Sequence, residues 1–250
     1  MLSTQQNLSV NQLLGPWHRW IRSLRTWLPG ECLVCTQPVK TTQDLCTHCF
    51  SQLAYNRYCC TRCAEPLLSQ RKDLLCRSCQ ETPPAFDQVL APYLYAPPLD
   101  ALLLNFKKNA KRTAGSLLLD LLMAELKTHP ALQQAEALVA IPGQKDRLRQ
   151  RGIDPPAWLA QRLAWQLKQP FLTQGLKRCR NITSQQELSR KKRWLNPQGA
   201  FVASQEVKGK KLLLVDDVVT TGATCHWAAR ELKEKGAASV TVIAAARTPF

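Results

Sequence analysis

Acidic residues are scarce in this chain. Its 250 residues include 18 Asp and Glu against 34 Lys and Arg, a formal net charge of +16, and the first 30 residues contain no acid. An imbalance of that size favours polyanionic partners: nucleic acid, an anionic membrane surface or phosphorylated ligands. Long apolar runs are missing too. No stretch reaches the roughly 18 residues that a membrane-spanning helix needs. The first 30 residues also lack the continuous apolar block of about 7–15 residues that marks a secretory leader. The expected location is the cytoplasm. Two common phosphate signatures are absent: there is no GxxxxGK[ST] and no GxGxxG. A Walker loop and a dinucleotide fingerprint are thereby excluded.

Cysteine, by contrast, is abundant, with eleven in all. In a reducing cytosol that points to metal rather than disulfides. Nine fall within residues 31–82, eight of them as Cys32-x2-Cys35, Cys46-x2-Cys49, Cys60-x2-Cys63 and Cys76-x2-Cys79. Each pair forms a tight knuckle that aims two thiolates at one metal. Two knuckles complete a tetrahedron, so the spacing predicts two Zn2+ ions with four cysteine ligands each. Sites filled entirely by protein leave no open position, and these metals read as structural. They also explain how some fifty residues with few large apolar groups fold. Spacing permits a sequential pairing, as in a double zinc ribbon, and an interleaved one. Cys59 is off register and His48 lies inside a CxxC loop, so neither is counted as a ligand.

The most informative string is residues 212–224: Leu212-Leu213-Leu214-Val215, then Asp216-Asp217, then Val218-Val219-Thr220-Thr221-Gly222-Ala223-Thr224. A buried strand delivers two carboxylates to the edge of a sheet. A small, hydroxyl-rich loop follows and opens a helix, whose N-terminus attracts anions. The chemistry fits ribose 5-phosphate. Asp216 and Asp217 accept hydrogen bonds from vicinal hydroxyls, directly or through a divalent cation, and Thr220, Thr221, Gly222 and Thr224 hold the phosphate. Gly222 lets the backbone approach the anion. Two acids before a capped helix also fit a plain structural turn with Thr224 as N-cap, but that leaves the rest of the string unexplained.

Three regions are expected: an amphipathic segment at 1–30, the cysteine-rich module at 31–82 and an α/β domain at 83–250. In the first, Trp17, Trp20, Ile21, Leu24, Trp27 and Leu28 recur at helical spacing beside Arg19, Arg22 and Arg25. Such a helix suits an anionic membrane, a partner or the neighbouring domain. In the third, strands are read at 89–95, 138–141, 171–176, 212–215 and 239–245. Helices are read at 99–126, with a break near Lys108-Asn109, at 157–167 and at 224–235. Strand–helix alternation predicts a parallel sheet with helices on both faces, and such sheets bind ligands beyond their carboxyl ends. Between Ile141 and Ala200 there are thirteen Lys and Arg against three acids. The loop 142–152 is the candidate second anion site there.

The string at 212–224 resembles the fingerprint with which type I phosphoribosyltransferases bind phosphoribosyl pyrophosphate (PRPP). With the cysteine module before it, the chain resembles the ComF family of competence-associated and DNA-utilisation proteins over about residues 32–247. Further residues match that pattern: Gln185, Leu188, Arg193, Asn196, Ala200 and Phe201, a helix-borne Lys107, and Arg151-Gly152. The chain departs from it at Ile153-Asp154-Pro155, where the family has Phe-Asn-Gln. An acid and a residue without an N–H stand where a pyrophosphate is expected, so the pyrophosphate is held differently or catalysis is weakened.

The resemblance implies a type I phosphoribosyltransferase-like domain behind a double zinc ribbon. It implies PRPP contacts at Val219, Thr220, Thr221, Gly222, Ala223, Thr224, Lys107, Arg151, Gly152 and Arg193, with catalytic carboxylates at Asp216 and Asp217 and Mg2+ accompanying PRPP. It also implies handling of single-stranded DNA in natural transformation or DNA utilisation, with DNA-uptake machinery or the membrane surface as partners of the N-terminal helix. The alternative is an active phosphoribosyltransferase that moves ribose 5-phosphate onto a nitrogen nucleophile. A zinc-ribbon transcription regulator leaves the Asp216-Asp217 loop without a role.

Overall fold

The computed structural model describes residues 30–39, 44–69, 74–180 and 194–249, without the side chains of Lys145 and Arg147. The N-terminal amphipathic segment up to residue 29 and the family residues Gln185, Leu188 and Arg193 lie outside the described residues. The chain divides into two compact units, 1–51 and 52–250.

In the first unit, β1 (Gly30–Glu31) pairs antiparallel with β2 (Pro38–Val39) around the first knuckle, and α1 (Thr47–Ser51) carries Cys49. The second unit opens with a repeat of that knuckle, and α2 (Arg77–Glu81) carries Cys79. The residue after the second cysteine is left-handed in both, Thr36 at φ 60° and Ala64 at φ 55°. Its N–H returns to the carbonyl of the first cysteine, Thr36 to Cys32 and Ala64 to Cys60, each at 2.9 Å. Closing the turn on two converging sulfurs is what offsets the cost of that conformation.

The α/β part continues through β3 (Gln88–Leu90), β4 (Tyr93–Leu94), α3 (Leu99–Asn109), α4 (Arg112–Leu126), α5 (Pro130–Gln133) and β5 (Ala137–Ala140). Then come α6 (Lys145–Arg151), α7 (Pro155–Leu167), β6 (Leu176–Arg178), β7 (Phe201–Ala203), β8 (Lys211–Val215), β9 (Val218–Val219), α8 (Ala223–Glu234), β10 (Ser239–Ile243) and β11 (Ala246–Arg247). Four strands form a parallel sheet in the order β3-β10-β8-β5, and a three-stranded parallel sheet, β4-β11-β9, forms from the segments that follow three of them. Strands buried on both faces need unbroken apolar sequence, and β5 (ALVA) is buried at every position. Leu212 and Leu214 of β8 share a core cluster with Cys225, Ala228, Ala229 and Leu232 of α8. Leu213 and Val215 are also buried and project from the opposite face, where α7 packs on β5 and β8.

Several expected elements are corrected. The strand at 89–95 is two strands in two sheets, interrupted at Ala91-Pro92, where proline withdraws an N–H from any ladder. Residues 171–176 contribute one bridge, Phe171 to Leu138, and the strand proper begins at Leu176, antiparallel to β7. The helical region 99–126 does break where expected, at left-handed Ala110 just after Lys108-Asn109. The loop 142–152 contains α6, capped by left-handed Gly152. α7 starts at Pro155 rather than Ala157, with both prolines in the first turn, where no N–H is required.

Candidate functional site

Each cysteine set brings its four sulfurs within 4.8 Å of one another: Cys32, Cys35, Cys46 and Cys49, then Cys60, Cys63, Cys76 and Cys79. The Sγ atoms of Cys35 and Cys46 are 3.6 Å apart, as are those of Cys63 and Cys76. A tetrahedron with Zn–S of about 2.3 Å has edges of about 3.8 Å, so both sets fit zinc. The pairing is sequential. Cys59 and His48 belong to neither set.

In the α/β part, β8 delivers Asp216 and Asp217 to the carboxyl edge of the sheet. Both remain in strand-like bonding: the Asp216 amide donates to Ile243 (2.9 Å), and Asp217 accepts from the Ala245 amide (3.0 Å). Asp216 Oδ1 accepts the Asp217 amide at 2.8 Å, and its Oδ2 lies 3.7 Å from Cys225 Sγ. Burial, then the neighbouring Asp217 charge, raise the Asp216 carboxyl to about 7, against the opposing pull of Lys107. The buried Cys225 thiol is pushed up by desolvation and by Asp216, which makes it a poor nucleophile. Lys107 of α3 reaches Asp217 at 2.8 Å.

Beyond β9 the chain turns through Thr220 and Thr221 to Gly222, which is left-handed at φ 75° and caps α8. Thr221 Oγ1 accepts the Ala223 amide at 3.3 Å. Thr224 therefore sits in the first turn of α8 and is not its N-cap. The loop meets the positive end of a twelve-residue helix. A cavity of about 790 Å³ adjoins it, with Phe86, Trp194, Thr221, Gly222 and Arg247 in its wall.

Other expected contacts fall differently. Arg151 ends α6 next to Gly152. Ala200 and Phe201 are buried in the core, so that stretch of the family pattern packs the domain. Asp154, the residue of the departure, faces inward. Its Oδ2 accepts the Gly143 amide at 3.2 Å, and its Oδ1 is buried with no hydrogen-bond partner among the described residues. Burial raises its pKa, and Asp217 adds to the rise. Asp154 thus belongs to the electrostatic neighbourhood of the Asp216-Asp217 pair. Its partner is the Gly143 backbone amide, which spacing alone does not reveal. Arg247 was also missed: a terminal-strand arginine in a basic chain carries no pattern.

Fold and site together define a phosphoribosyltransferase-type domain joined to a double zinc ribbon. Family models agree, the Double zinc ribbon domain over residues 23–80 and the Phosphoribosyl transferase domain over residues 159–249. DNA utilization protein YhgH of Escherichia coli K12 is 30% identical over 225 residues, 88% of this chain and 98% of that protein. Competence protein F of Haemophilus influenzae is 30% identical over 87% of this chain and 90% of its own length. Competence protein ComFC of Bacillus subtilis is 35% identical over 42% of this chain and 41% of its own. The chain belongs to this ComF family of competence and DNA-utilisation proteins. Among solved structures, orotate phosphoribosyltransferase from Aeropyrum pernix aligns over 54% of this chain and 60% of that one, with 19% identity and a TM-score of 0.34.

Among the described residues, no helix is long and apolar enough to cross a membrane.

Proposed function

We propose that this protein handles single-stranded DNA in competence or DNA utilisation, and that its phosphoribosyltransferase-type site binds PRPP or a similar phosphoribosyl ligand. The observation that carries the ligand reading is the convergence of Asp216, Asp217 and Lys107 at a sheet edge, beside a loop that opens a helix at left-handed Gly222. The carboxylates take the ribose hydroxyls. The loop amides, the hydroxyls of Thr220, Thr221 and Thr224 and the end of α8 take the 5′-phosphate, with Val219 and Ala223 supplying backbone. Lys107 carries charge to the pyrophosphate, Arg151 and Gly152 are further contacts, and the resemblance adds Arg193, outside the described residues. Asp216 and Asp217 would hold Mg2+ where it accompanies PRPP, and the ion would supply charge neutralisation of the leaving pyrophosphate. The net charge of +16 supports a DNA backbone as the second ligand. Eight cysteines arranged for metal suit a reducing cytoplasm.

The alternative, a working phosphoribosyltransferase, draws on the same site. The C1′–O bond to pyrophosphate breaks, a C1′–N bond forms, and the nucleophile loses its proton. Catalysis would be electrostatic and positional. The cavity beside the loop, with Phe86 and Trp194 in its wall, suits an aromatic acceptor.

Titration of the protein with PRPP and Mg2+, with and without a single-stranded oligonucleotide, tests the proposal. Binding of both ligands is expected, the oligonucleotide weakening as salt rises. No PRPP binding, or DNA affinity indifferent to salt, overturns it. Pyrophosphate release that disappears in Asp216→Asn and Asp217→Asn decides for the enzyme.

A further inference from the structure

Arg247 is 1% exposed and buried beneath the phosphate-type loop. Its guanidinium faces two modules at once. On the loop side, Nη1 donates to the carbonyls of Val219 (3.1 Å), Thr220 and Thr248 (2.9 Å). On the ribbon side, Nε donates to the carbonyl of Cys63 (3.1 Å), and Nη2 pairs with Glu65 Oε2 at 2.6 Å. Cys63 is a ligand of the second cysteine set. Glu65 is held in the same knuckle, where its carbonyl accepts the Cys60 amide at 2.8 Å.

A planar trans peptide points its C=O and N–H in opposite directions. The carbonyls of Val219 and Thr220 belong to the peptides whose N–H groups sit on Thr220 and Thr221. Drawing those carbonyls toward Arg247 turns both amides to the opposite side of the loop. An anion needs donors there. A fork of five donors in fixed geometry suits this task, and a lysine does not reproduce it.

We infer that Arg247 is a positioning residue that couples the second zinc site to the phosphate-binding loop. The metal fixes the knuckle, the knuckle fixes Glu65 and the Cys63 carbonyl, and these hold the guanidinium that sets the loop amides. The inference rests on reading the loop as a phosphate site. Coupling of this kind is reciprocal: a ligand that settles the loop also settles the second zinc site.

The test uses the full-length, zinc-loaded chain and ribose 5-phosphate as probe. Affinity is read by calorimetry, loop order by amide hydrogen exchange over residues 219–224, and zinc loss by transfer to a chelating dye. Glu65→Gln, which keeps both zinc sites, and Cys76→Ser, which removes the second, are expected to weaken ribose 5-phosphate about tenfold and to speed loop exchange. Cys35→Ser, in the first site, changes neither. In the wild type, ribose 5-phosphate slows release of one of the two zinc ions, and Glu65→Gln abolishes that protection while zinc content stays at two. A merely structural role for Arg247 does not produce this ligand-dependent protection. Unchanged affinity and loop exchange in Glu65→Gln and Cys76→Ser overturn the coupling. If the wild type fails to bind ribose 5-phosphate, the phosphate reading falls, and the exchange rates of the same variants still decide the coupling.

Discussion

Lys107 Nζ lies 2.8 Å from Asp217 Oδ1, an ion pair whose side chains are 22% and 14% exposed. It joins α3 to the carboxyl edge of β8. In the proposed ligand complex each partner has a better use: Lys107 faces a phosphate oxygen, and Asp217 faces a ribose hydroxyl. The pair therefore holds both groups in place before the ligand arrives. Lys107→Met is expected to lower PRPP affinity at least tenfold and stability by about 1 kcal/mol, since the remaining carboxylate is only partly solvated. A double-mutant cycle with Asp217→Asn, followed by chemical denaturation, should return a coupling of about 0.5–1 kcal/mol. No coupling would mean the contact does not persist in solution.

Asp216 makes stability depend on pH in a defined sense. An ordinary aspartate ionises near 4 in the unfolded chain, while burial beside Asp217 holds this one at about 7. Between those values the folded protein keeps a proton that the unfolded chain has released. Stability falls as pH rises through that window, and the deficit is complete above it. Asp216→Asn removes the deficit. At pH 8 the variant should gain up to about 4 kcal/mol and melt several degrees higher than wild type. At pH 4 the two should melt together. Thermal unfolding at both pH values checks the sign.

How much was legible in the sequence depended on the range of the interaction. The two sets of four cysteines, and the strand–loop–helix that carries Asp216-Asp217 and the residues to Thr224, were legible because each is a local string. The parallel sheet followed from apolar runs such as Leu212-Leu213-Leu214-Val215. Lys107 entered only by resemblance, since nothing within α3 points to Asp217. Asp154 was visible as a substitution but not as a buried acid bonded to Gly143. Arg247 and Glu65 pair across 182 residues, and no local pattern encodes such a contact. The strand expected at 89–95 failed at Ala91-Pro92 because an apolar run does not say which of two sheets it joins.

Zinc content separates the two cysteine sets. The folded chain should hold two zinc ions per molecule. With sequential pairing, Cys35→Ser loses one and leaves the set of Cys60, Cys63, Cys76 and Cys79 intact, and Cys60→Ser does the reverse. Cys59→Ser and His48→Ala should keep both. Metal analysis after gel filtration reads this directly. Because binding energy at such sites is folding energy, chelation should unfold the affected knuckle and expose its thiols to titration.

Two glycines near the site make opposite predictions about why a methyl group is refused. At Gly222 an added Cβ would meet only Phe86 Cζ, at 3.9 Å, an ordinary contact, but φ is 75°. Gly222→Ala therefore loses about 1–2 kcal/mol from backbone conformation alone, and the loop shifts to relieve it, so phosphate affinity falls as well. At Gly115 of α4 the backbone is helical, and an added Cβ would lie 2.5 Å from Phe106 Cε2 and 2.9 Å from Trp158 Cζ3. Those rings pack edge to face with centroids 5.2 Å apart, and Phe106 is the residue before Lys107. Alanine there gains helix propensity of about 1 kcal/mol but displaces the aromatic pair, an overpacking cost of about 1–3 kcal/mol. Gly115→Ala should thus be neutral to destabilising while moving Lys107 off Asp217. Its effect on PRPP affinity should vanish in a Lys107→Met background, whereas that of Gly222→Ala should persist there. Calorimetry on the two double variants tells the two causes apart.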